Sequence, residues 1–455
     1  MLTVIFRKTI LLVICFCLMN GVSFAEETSI KEEINQLKAR IQALEDKVAN
    51  HEKCIYDQNK CILDQNKKIA EYESQLAKFD TVLHRQVGAP ISIGEGLEIS
   101  VGGTMIAQGA TNVNNAASDV EKKASRTDAS YSADITLGKE FEDIGGKAFL
   151  HLEAGNGEGL NDDLTLYSAV NNDADNEQNV HLTELWYEQA LFKDRVVLTF
   201  GKLDPTIYFD NNDIANDETT QFLSSMLVNS PTIEFPGYAA GIRLAYMPVE
   251  WLELGYGVLD GNSDWEKIGD NLFNIGQVTF KTKFFQLPGN YRILGWNSNV
   301  YHTKWLDTER TKEANYGFGL SFDQKLNDSI TLFCRYGWQD PEVYNPDTMA
   351  TGDLNYSLEQ SWSAGLQIEG KPWGRENDVF GFAVGQVIPS NDYKKADETR
   401  NARNEGHIET YYRIYVNKHL SVSPDFQYIW NPFGGDIADD PDNIFIGGMR
   451  AQVDF

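Results

Sequence analysis

Apolar and polar residues alternate with a period of two through most of this chain, from about residue 96 onward. In one such segment Tyr316, Phe318 and Leu320 would share one face, and Gly317 and Gly319 the other. Successive side chains of a β-strand point to opposite faces, so the pattern predicts strands with one apolar and one polar face. We predict sixteen strands, near residues 96–109, 128–140, 145–154, 180–191, 194–202, 237–247, 251–260, 272–284, 289–302, 313–326, 328–338, 355–370, 376–389, 406–417, 419–431 and 443–455.

The connections between these segments alternate in length. Tight ones lie at 142–145, 192–195, 248–250, 286–289, 326–328 and 417–419. Long ones lie at 155–179, 203–236, 303–312, 339–354, 390–405 and 432–442. Tight turns at one end, long loops at the other and about ten residues per strand are typical of outer-membrane barrels. The sequence therefore predicts an all-β transmembrane barrel over residues 96–455, with sixteen antiparallel strands around a water-filled lumen.

The last segment, "IFIGGMRAQVDF" at residues 444–455, keeps this alternation to its final residue. Chain termini usually fray, so an ordered two-faced strand here predicts a partner strand that holds it. A closed barrel supplies that partner, because its last strand pairs with its first. An aromatic last residue on the lipid face also predicts that the outer-membrane assembly machinery recognises Phe455.

The first 25 residues have the pattern of a secretory signal peptide. Arg7 and Lys8 precede an apolar run over residues 10–19, and Ser23 and Ala25 are small residues where signal peptidase reads. We expect cleavage after Ala25; the alternative is an uncleaved anchor, although the run is short for a membrane span. Later in the chain no apolar run reaches the roughly 18 residues of a transmembrane helix, which excludes a helical membrane protein on hydropathy.

Charge and cysteine content exclude further classes. Beyond the predicted signal there are 37 Lys and Arg (39 less two) against 67 Asp and Glu, a net charge of −30. Such a chain repels phosphate backbones, so nucleic acid is not an expected partner. The cysteines outside the signal, Cys54, Cys61 and Cys334, form no disulfide framework. Paired His or Cys ligands do not occur, so we expect neither a metal nor a cofactor.

Residues 27–80 show the heptad pattern of an α-helical coiled coil, which we place in the periplasm before a linker at 81–95. One seam position is mostly β-branched and the other is polar in its middle, which favours a parallel homotrimer. Cys54 and Cys61 flank the seam about 10 Å apart, too far for an intrachain disulfide, and are either separate thiols or links between chains. The seam positions hold Ile34, Ile41, Val48, Ile55, Ile62, Ile69 and Leu76, and Ile30, Leu37, Leu44, His51, Gln58, Gln65, Tyr72 and Phe79.

Two long stretches resemble the carbohydrate-selective porin family of the OprB type. They are "LWYEQALFKDRVVLTFGKLDPTIYFDNNDIANDETTQFLSSML" (185–227) and "IETYYRIYVNKHLSVSPDFQYIWNPFGG" (408–435), and with the last strand the resemblance covers roughly residues 95–455. It implies a pore in the outer membrane for passive diffusion of sugars, surrounded by lipid and lipopolysaccharide. It also implies that the third long loop, 203–236, folds inward as a constriction. That loop offers Asp204, Tyr208, Asp210, Asn211, Asn212 and Asp213.

Strand parity adds ten candidates on the inner wall. Sugars are rich in hydroxyl groups and bind carboxylates, amides and guanidinium groups by hydrogen bonds, and aromatic rings by contact. Arginines opposite acidic residues would set a transverse field across the constriction; alternatively these side chains only stabilise each other. The ten are Glu184, Glu188, Arg243, Arg292, Arg335, Glu409, Arg413, Asp425, Gln427 and Arg450. Cys334 falls on the lipid face by the same parity.

Other functions fit parts of the pattern. A general or cation-preferring porin without a sugar site would use the same barrel, and the negative charge favours it. An anion porin would need a ladder of Lys and Arg, which an acidic chain does not favour. A membrane-embedded hydrolase would need a nucleophile motif such as Gly-x-Ser-x-Gly, which does not occur, so we expect no enzyme.

Two further readings concern single segments. Asp173, Asp175 and Glu177 alternate in the loop at 161–179 but lack the turn glycine of a calcium loop, and loose divalent cations bridging to lipopolysaccharide are the simpler expectation. The helical segment could also act as a structural tether across the periplasm, because residues 31–79 would span about 75 Å as a helix.

Overall fold

The computed structural model describes residues 34–35, 37–42, 44–48, 53, 91–92, 96–114, 124–284, 286–346, 357–436 and 443–455. The chain divides into two compact units, Met1–Asp80 and Thr81–Phe455. In the first unit the described residues are helical. The predicted signal peptide, most of the coiled coil with Cys54 and Cys61, and the linker apart from 91–92 lie outside the described residues. Among those described, no helix is both long enough and apolar enough to cross a membrane.

In the second unit the described residues form sixteen long strands, one for each predicted segment and with ends within three residues of the prediction. Two-residue strands at Ile91–Ser92 and Val343–Tyr344 accompany them. The long strands are β1 (Leu97–Ala110), β2 (Arg126–Phe141), β3 (Gly146–Asn156), β4 (His181–Leu191), β5 (Val196–Leu203), β6 (Ala239–Val249), β7 (Leu252–Asp260), β8 (Leu272–Phe284), β9 (Leu287–Lys304), β10 (Glu313–Lys325), β11 (Ile330–Gln339), β12 (Leu358–Glu369), β13 (Val379–Pro389), β14 (Glu405–Asn417), β15 (Leu420–Trp430) and β16 (Ile444–Asp454).

Each long strand pairs antiparallel with the next, and β16 pairs with β1, which closes the barrel. In the closing pair Met449 stands opposite Ala107 and Val453 opposite Gly103. The backbones of Phe455 and Val101 exchange two hydrogen bonds, of 2.9 and 3.0 Å. The predicted fold class is therefore confirmed, and the terminal strand is held by the first.

The two faces of the wall differ as the alternation predicts. Met105, Phe200 and Ile242 point outward and are exposed. Cys334 also points outward and is exposed. Thr104, on the neighbouring position of β1, points inward and is buried. Apolar exposure around a whole barrel is far larger than the patches that soluble monomers carry. This apolar exterior matches a surface that faces lipid. The closed sheet also leaves no unpaired strand edge in contact with lipid.

The connections fall into the two predicted classes. Tight turns follow β4, β6, β8, β10 and β14, while the turn after β2 is a short 3-10 helix, Glu142–Ile144, ended by Gly145 with φ of 65°. At the opposite end the loops carry the 3-10 helices Gly159–Asp163, Pro205–Ile207 and Pro432–Gly435 and the α-helices Ser225–Val228 and Asn391–Lys395. The turn after β12 is longer and contains the 3-10 helix Lys371–Trp373.

One side of the barrel interior is apolar. Phe209 and Ile233, from the long connection between β5 and β6, pack against inward side chains of the wall that include Phe273, Leu294 and Trp296. Burying each large apolar side chain contributes about 1.5–3 kcal/mol. The inner face is apolar on this side because the connection folds inward and covers the wall there.

We expect an arginine on the outer face to destabilise the barrel. Met105 is 66% exposed near the middle of β1, and an Arg at the bilayer midplane costs about 2–4 kcal/mol. Met105→Arg should lower the free energy of unfolding by that amount in a urea titration of protein folded into lipid vesicles. Asn290→Arg is the control, because this inward residue contacts Asp213 and Asp323, which can pair with the new charge. Equal losses in both variants would contradict the assignment of the two faces.

Candidate functional site

The connection between β5 and β6, residues 204–238, crosses the barrel interior and is here named the constriction loop. The backbone N–H of Asp210 donates to Gln277 of β8 at 3.0 Å. Further along the loop, Ser230 and Thr232 hydrogen-bond to Ser361 of β12 at 3.1 and 3.0 Å. A loop that leaves β5 and reaches β12 must run through the lumen.

A buried arginine of the wall holds the middle of this loop. Arg335 of β11 donates to the backbone carbonyl of Asp210 at 2.9 Å and to that of Leu227 at 2.8 Å. Its Nε also lies 3.3 Å from the Asp210 carboxylate, and both side chains are about 1% exposed. Arginine suits this place because its planar fork of donors reaches several oxygens at once.

Two more wall residues hold the loop three and five strands further around the barrel. Glu409 of β14 accepts hydrogen bonds from the backbone N–H groups of Leu223 at 2.6 Å and Ser224 at 2.9 Å. Arg450 of β16 donates to the backbone carbonyls of Glu218 and Gln221 at 2.6 and 2.9 Å. All of these wall groups are buried. We call Arg335, Glu409 and Arg450 the loop clamp, because each satisfies loop backbone groups that water cannot reach.

A second loop, residues 157–180 between β3 and β4, also folds inward. The carbonyl of Val170 accepts from Gln427 at 2.9 Å and from Gln108 at 3.3 Å. This loop meets the constriction loop through the backbone bond from Asn172 N–H to the Leu223 carbonyl, at 2.8 Å. From the sequence we expected this stretch to lie among the outer loops. In the structure it lies inside the barrel. Alternating polarity reveals strands, and it carries no signal for the path of a polar loop.

The acidic stretch of that second loop is folded into this interior. Asp173 is buried and accepts from the Ser132 hydroxyl at 3.0 and 3.1 Å. Burial raises the pKa of Asp173 well above its usual range, and the charges of Glu218 and Asp134 raise it further. The Asp173 carboxylate therefore binds the wall, which is a different role from the calcium ligand that was weighed for it.

Charged side chains of alternating sign line the wall beside the constriction loop. Arg243 of β6 lies between Glu188 of β4, at 3.8 Å, and Glu253 of β7, at 3.4 Å. Lys281 of β8 lies 2.9 Å from the other oxygen of Glu253. The guanidinium of Arg243 also stacks over the ring of Tyr208, 4.4 Å from its centroid.

The row continues onto β9 and meets the loop. Arg292 pairs with Asp323 and lies 3.7 Å from Asp213 of the constriction loop. Asp213 also accepts from Asn290 at 3.3 Å, and its side chain is 50% exposed. We name Glu188, Arg243, Glu253, Lys281, Arg292 and Asp213 the charged row.

The wall formed by β16, β2 and β3 is acidic. Asp454, Asp134 and Glu153 point inward there. Strands eight places apart in a closed sheet of sixteen stand across from each other, so β16 faces β8 with Lys281. Lys281 of the charged row therefore lies across the lumen from an acidic wall.

Asp173 and Glu218 of the two inward loops lie near this wall. After burial, the charges of Glu218, Asp134 and Glu153 each raise the pKa of Asp173. His151 of β3 bonds Asp134 at 2.7 Å and approaches the buried Glu184 at 3.7 Å. Among the described residues, Asp134, His151 and Glu153 each bring one ligand atom within 4.8 Å of the others, a spacing that could hold a metal ion.

The sequence-derived candidates divide by exposure. Arg335, Glu409 and Arg450 form the loop clamp, and Glu184, Tyr208, Asp210, Asn212, Arg292, Asp425 and Gln427 are also buried, as is Asp204, which caps the turn at Thr206. Glu188, Asn211, Asp213, Arg243 and Arg413 keep contact with solvent. The sequence-derived candidates also omit several inner-wall residues that strand parity places on the same face, among them Asp134, His151, Glu153, Glu253, Lys281, Asp323 and Asp454.

A closed barrel with an apolar exterior, and with inward loops that narrow a charged lumen, defines a porin of the outer membrane. Residues 122–455 match the model of the carbohydrate-selective porin, OprB family, and the chain belongs to that family.

Single relatives are distant. Porin B of Pseudomonas aeruginosa is 22% identical over 328 residues, which are 61% of this chain and 69% of that one. An uncharacterized protein of Aquifex aeolicus is 24% identical over 255 residues, 56% of this chain, and the match spans only 63% of that relative's length. The high-pH structure of Pseudomonas putida OprB superposes with a TM-score of 0.67 at 17% identity, over 79% of this chain and 94% of that one, which shows a shared fold.

We expect removal of the clamp arginine to loosen the constriction. Arg335→Met leaves the buried Asp210 carboxylate and the two loop carbonyls without their donor, and breaking a buried ion pair costs about 3–5 kcal/mol. Single-channel conductance should rise, and the loop should become open to proteolysis. Arg195→Met, at an exposed turn, is the matched control and should leave both unchanged. Unchanged conductance and loop protection in Arg335→Met would show that the loop is held without the clamp.

Proposed function

We propose that this chain forms a water-filled channel through which carbohydrates diffuse passively and with partial selectivity across the outer membrane. The charged row is the observation that carries the proposal. Membership of the carbohydrate-selective porin family supports it. The channel needs no cofactor, and its inward loops supply binding groups without any catalytic step.

The chemistry of the row suits a neutral, hydroxyl-rich solute. A sugar hydroxyl both donates and accepts, so it can bridge neighbouring carboxylates and cations. The row contains three carboxylates, of Glu188, Glu253 and Asp213, and three cations, of Arg243, Lys281 and Arg292. Asp323, which pairs with Arg292, adds a fourth carboxylate beside the row, so hydrogen-bond donors and acceptors lie next to each other along it. The aromatic face of Tyr208 is covered by Arg243, so hydrogen bonds rather than ring stacking would dominate.

Sugar binding should depend on the centre of the row. In planar bilayers we expect glucose and longer sugars to block the ion current of the wild-type channel in a saturable way. Arg243→Met removes a charged donor, a loss of about 1.5–3 kcal/mol, so the apparent sugar affinity should fall at least about tenfold while the channel still conducts. Arg195→Met again provides the control. A wild-type channel that conducts ions without any sugar block would contradict the carbohydrate proposal.

A cation-preferring general porin is the second candidate, and the acidic wall favours it. Asp134, Glu153 and Asp454 with Asp173 and Glu218 of the inward loops give five carboxylates around His151 and Arg413. A lumen wall of one sign concentrates counter-ions and repels co-ions. Under this proposal the charged row would be a structural network and the acidic wall would set the selectivity.

The acidic wall predicts a pH-dependent ion preference. Because the pKa of Asp173 is raised, this carboxyl is neutral below that pKa and negative above it. Cation preference should therefore grow as the pH rises above the ordinary carboxyl range near 4. The reversal potential under a salt gradient, measured from acid to neutral pH, checks this. Asp173→Asn should reduce the change, and Asp175→Asn in the same loop should preserve it; identical curves in Asp173→Asn and the wild type would exclude this carboxyl.

The environment of the channel completes the proposal. We propose that residues 1–25 are a signal peptide cut from the mature chain, that 27–80 form a periplasmic coiled coil and that 81–95 link it to the barrel. Outer-membrane lipid and lipopolysaccharide would contact the apolar exterior. The assembly machinery would bind the terminal strand through Phe455, whose ring is 50% exposed. The assembled form would be a homotrimer joined by the helical segment.

A further inference from the structure

Three side chains of the acidic wall that can bind metal ions converge near the middle of two neighbouring strands. Asp134 of β2 stands directly opposite Glu153 of β3, and His151 lies two residues before Glu153 on the same face. One ligand atom from each of the three lies within 4.8 Å of the other two. The group contains one imidazole and two carboxylates, and its members come from separate strands, so a local sequence motif cannot reveal it.

The register of the strands brings like charges together at this place. Carboxylates that stand directly opposite each other on one face of a sheet repel and destabilise the pair. Asp173 of the second inward loop adds a third carboxylate nearby, because it accepts from Ser132, two residues before Asp134 on that face. A divalent cation between Asp134 and Glu153 would offset this repulsion.

A buried carboxylate holds the imidazole of His151 in the orientation that a metal ligand needs. Nε2 of His151 points to Asp134, at 2.7 Å, while Nδ1 lies 3.7 Å from the carboxylate of Glu184 on β4. His151 and Glu184 are buried, whereas Asp134 is partly exposed. A histidine that binds a metal through one nitrogen almost always directs its other N–H to a carboxylate, a carbonyl or water. Glu184 lies where that acceptor would be.

An irregularity in the strand pairing sets Glu184 beside His151. These two residues pair with each other, but the next residue of β3, Leu152, pairs with Leu182. Thr183 is therefore an extra residue on β4, and its hydroxyl donates to the His151 carbonyl at 3.1 Å. β-Bulges re-aim side chains and are over-represented next to functional sites.

We propose that Asp134, His151 and Glu153 bind a divalent transition-metal cation of the Zn²⁺ type at the lumen wall. An imidazole nitrogen with carboxylate oxygens suits Zn²⁺, whereas Ca²⁺ and Mg²⁺ prefer oxygen ligands alone. Ligands at about 2.0–2.1 Å from a tetrahedral Zn²⁺ lie about 3.3 Å apart, so side-chain shifts of about 1.5 Å or less would bring the group around the ion. Three protein ligands leave the fourth position for water on the lumen side.

A cation bound here would change what permeating ions meet. It would neutralise charge on the acidic wall and occupy part of the lumen beside Asp134 and Glu153. We therefore expect Zn²⁺, at concentrations well below that of the carrier salt, to reduce the ion current. The binding itself does not depend on which solute passes the channel.

The first test measures Zn²⁺ binding to the purified full-length protein by titration calorimetry. His151→Gln and Glu153→Gln each remove a ligand, and each should lower the Zn²⁺ affinity at least about 10-fold, the smallest loss expected for an outer-shell partner. Glu153 is only partly buried, so its variant keeps the test open if His151→Gln does not fold. His181→Gln is the matched control, because it removes another imidazole beside a carboxylate, 3.9 Å from Asp175.

The control should bind Zn²⁺ as the wild type does, and Ca²⁺ at equal concentration should not displace the metal. Equal Zn²⁺ affinity in both ligand variants and the wild type would overturn the proposal. Displacement by Ca²⁺ would also overturn it, because that result would indicate general screening of the acidic wall.

The second test reads the site through the channel in planar bilayers. Zn²⁺ should reduce the current of the wild type and of His181→Gln, and a chelator should restore it. Glu153→Gln should need at least about 10-fold more Zn²⁺ for the same reduction, and its conduction before Zn²⁺ is added shows that the barrel has folded. A wild-type current that ignores Zn²⁺, or an identical Zn²⁺ dependence in Glu153→Gln, would contradict a site in the lumen.

Discussion

Closure of the sheet is the constraint on which the structure depends. In a bilayer no water satisfies the N–H and C=O groups of a strand edge, so a strand can lie there only if both neighbours are present. The pairing of β16 with β1, extended to the bonds between Phe455 and Val101, removes the last free edge. Closure with sixteen strands also fixes a lumen too wide to be filled by wall side chains alone. The inward loops follow from that width.

A loop inside a barrel also has backbone N–H and C=O groups that water cannot reach. Buried ionised side chains of the wall hydrogen-bond to these groups. Arg335, Glu409 and Arg450 offer several hydrogen bonds each and carry full charges, which makes these bonds stronger than neutral ones. Where the loop instead presents Phe209 and Ile233, the wall is apolar. At these places the polarity of the inner face therefore matches the loop residues that pack against it. The loops leave accessible Asp213 and Lys281 of the charged row on one side, and Asp134 and Glu153 of the acidic wall on the other.

This explains how far the sequence could predict the molecule. Period-two alternation predicted every long strand, because burial in lipid on one face is a local rule that each strand obeys independently. Parity also placed Arg335 and Arg243 correctly on the inner wall. Parity could not tell that Arg335 lies buried under the constriction loop whereas Arg243 keeps contact with solvent. That difference depends on contacts between residues far apart in the chain. Leu227 and Arg335, for example, are 108 positions apart. The inward path of residues 157–180 was missed for the same reason.

The distribution of charge in the lumen follows from how the inward loops pack against the wall. A net charge of −28 for the whole chain would suggest a strongly cation-selective pore, but charges that are paired with opposite charges across strands largely cancel each other's field at a permeating solute. The cations of the charged row are each paired with a carboxylate, whereas, in the part of the chain that the structure describes, most carboxylates of the acidic wall have no cation beside them on the wall. A solute that touches both must be able to hydrogen-bond on one side and tolerate negative potential on the other. Under the proposed function, neutral polyhydroxylated molecules would meet both conditions, while anionic sugars would meet only the first.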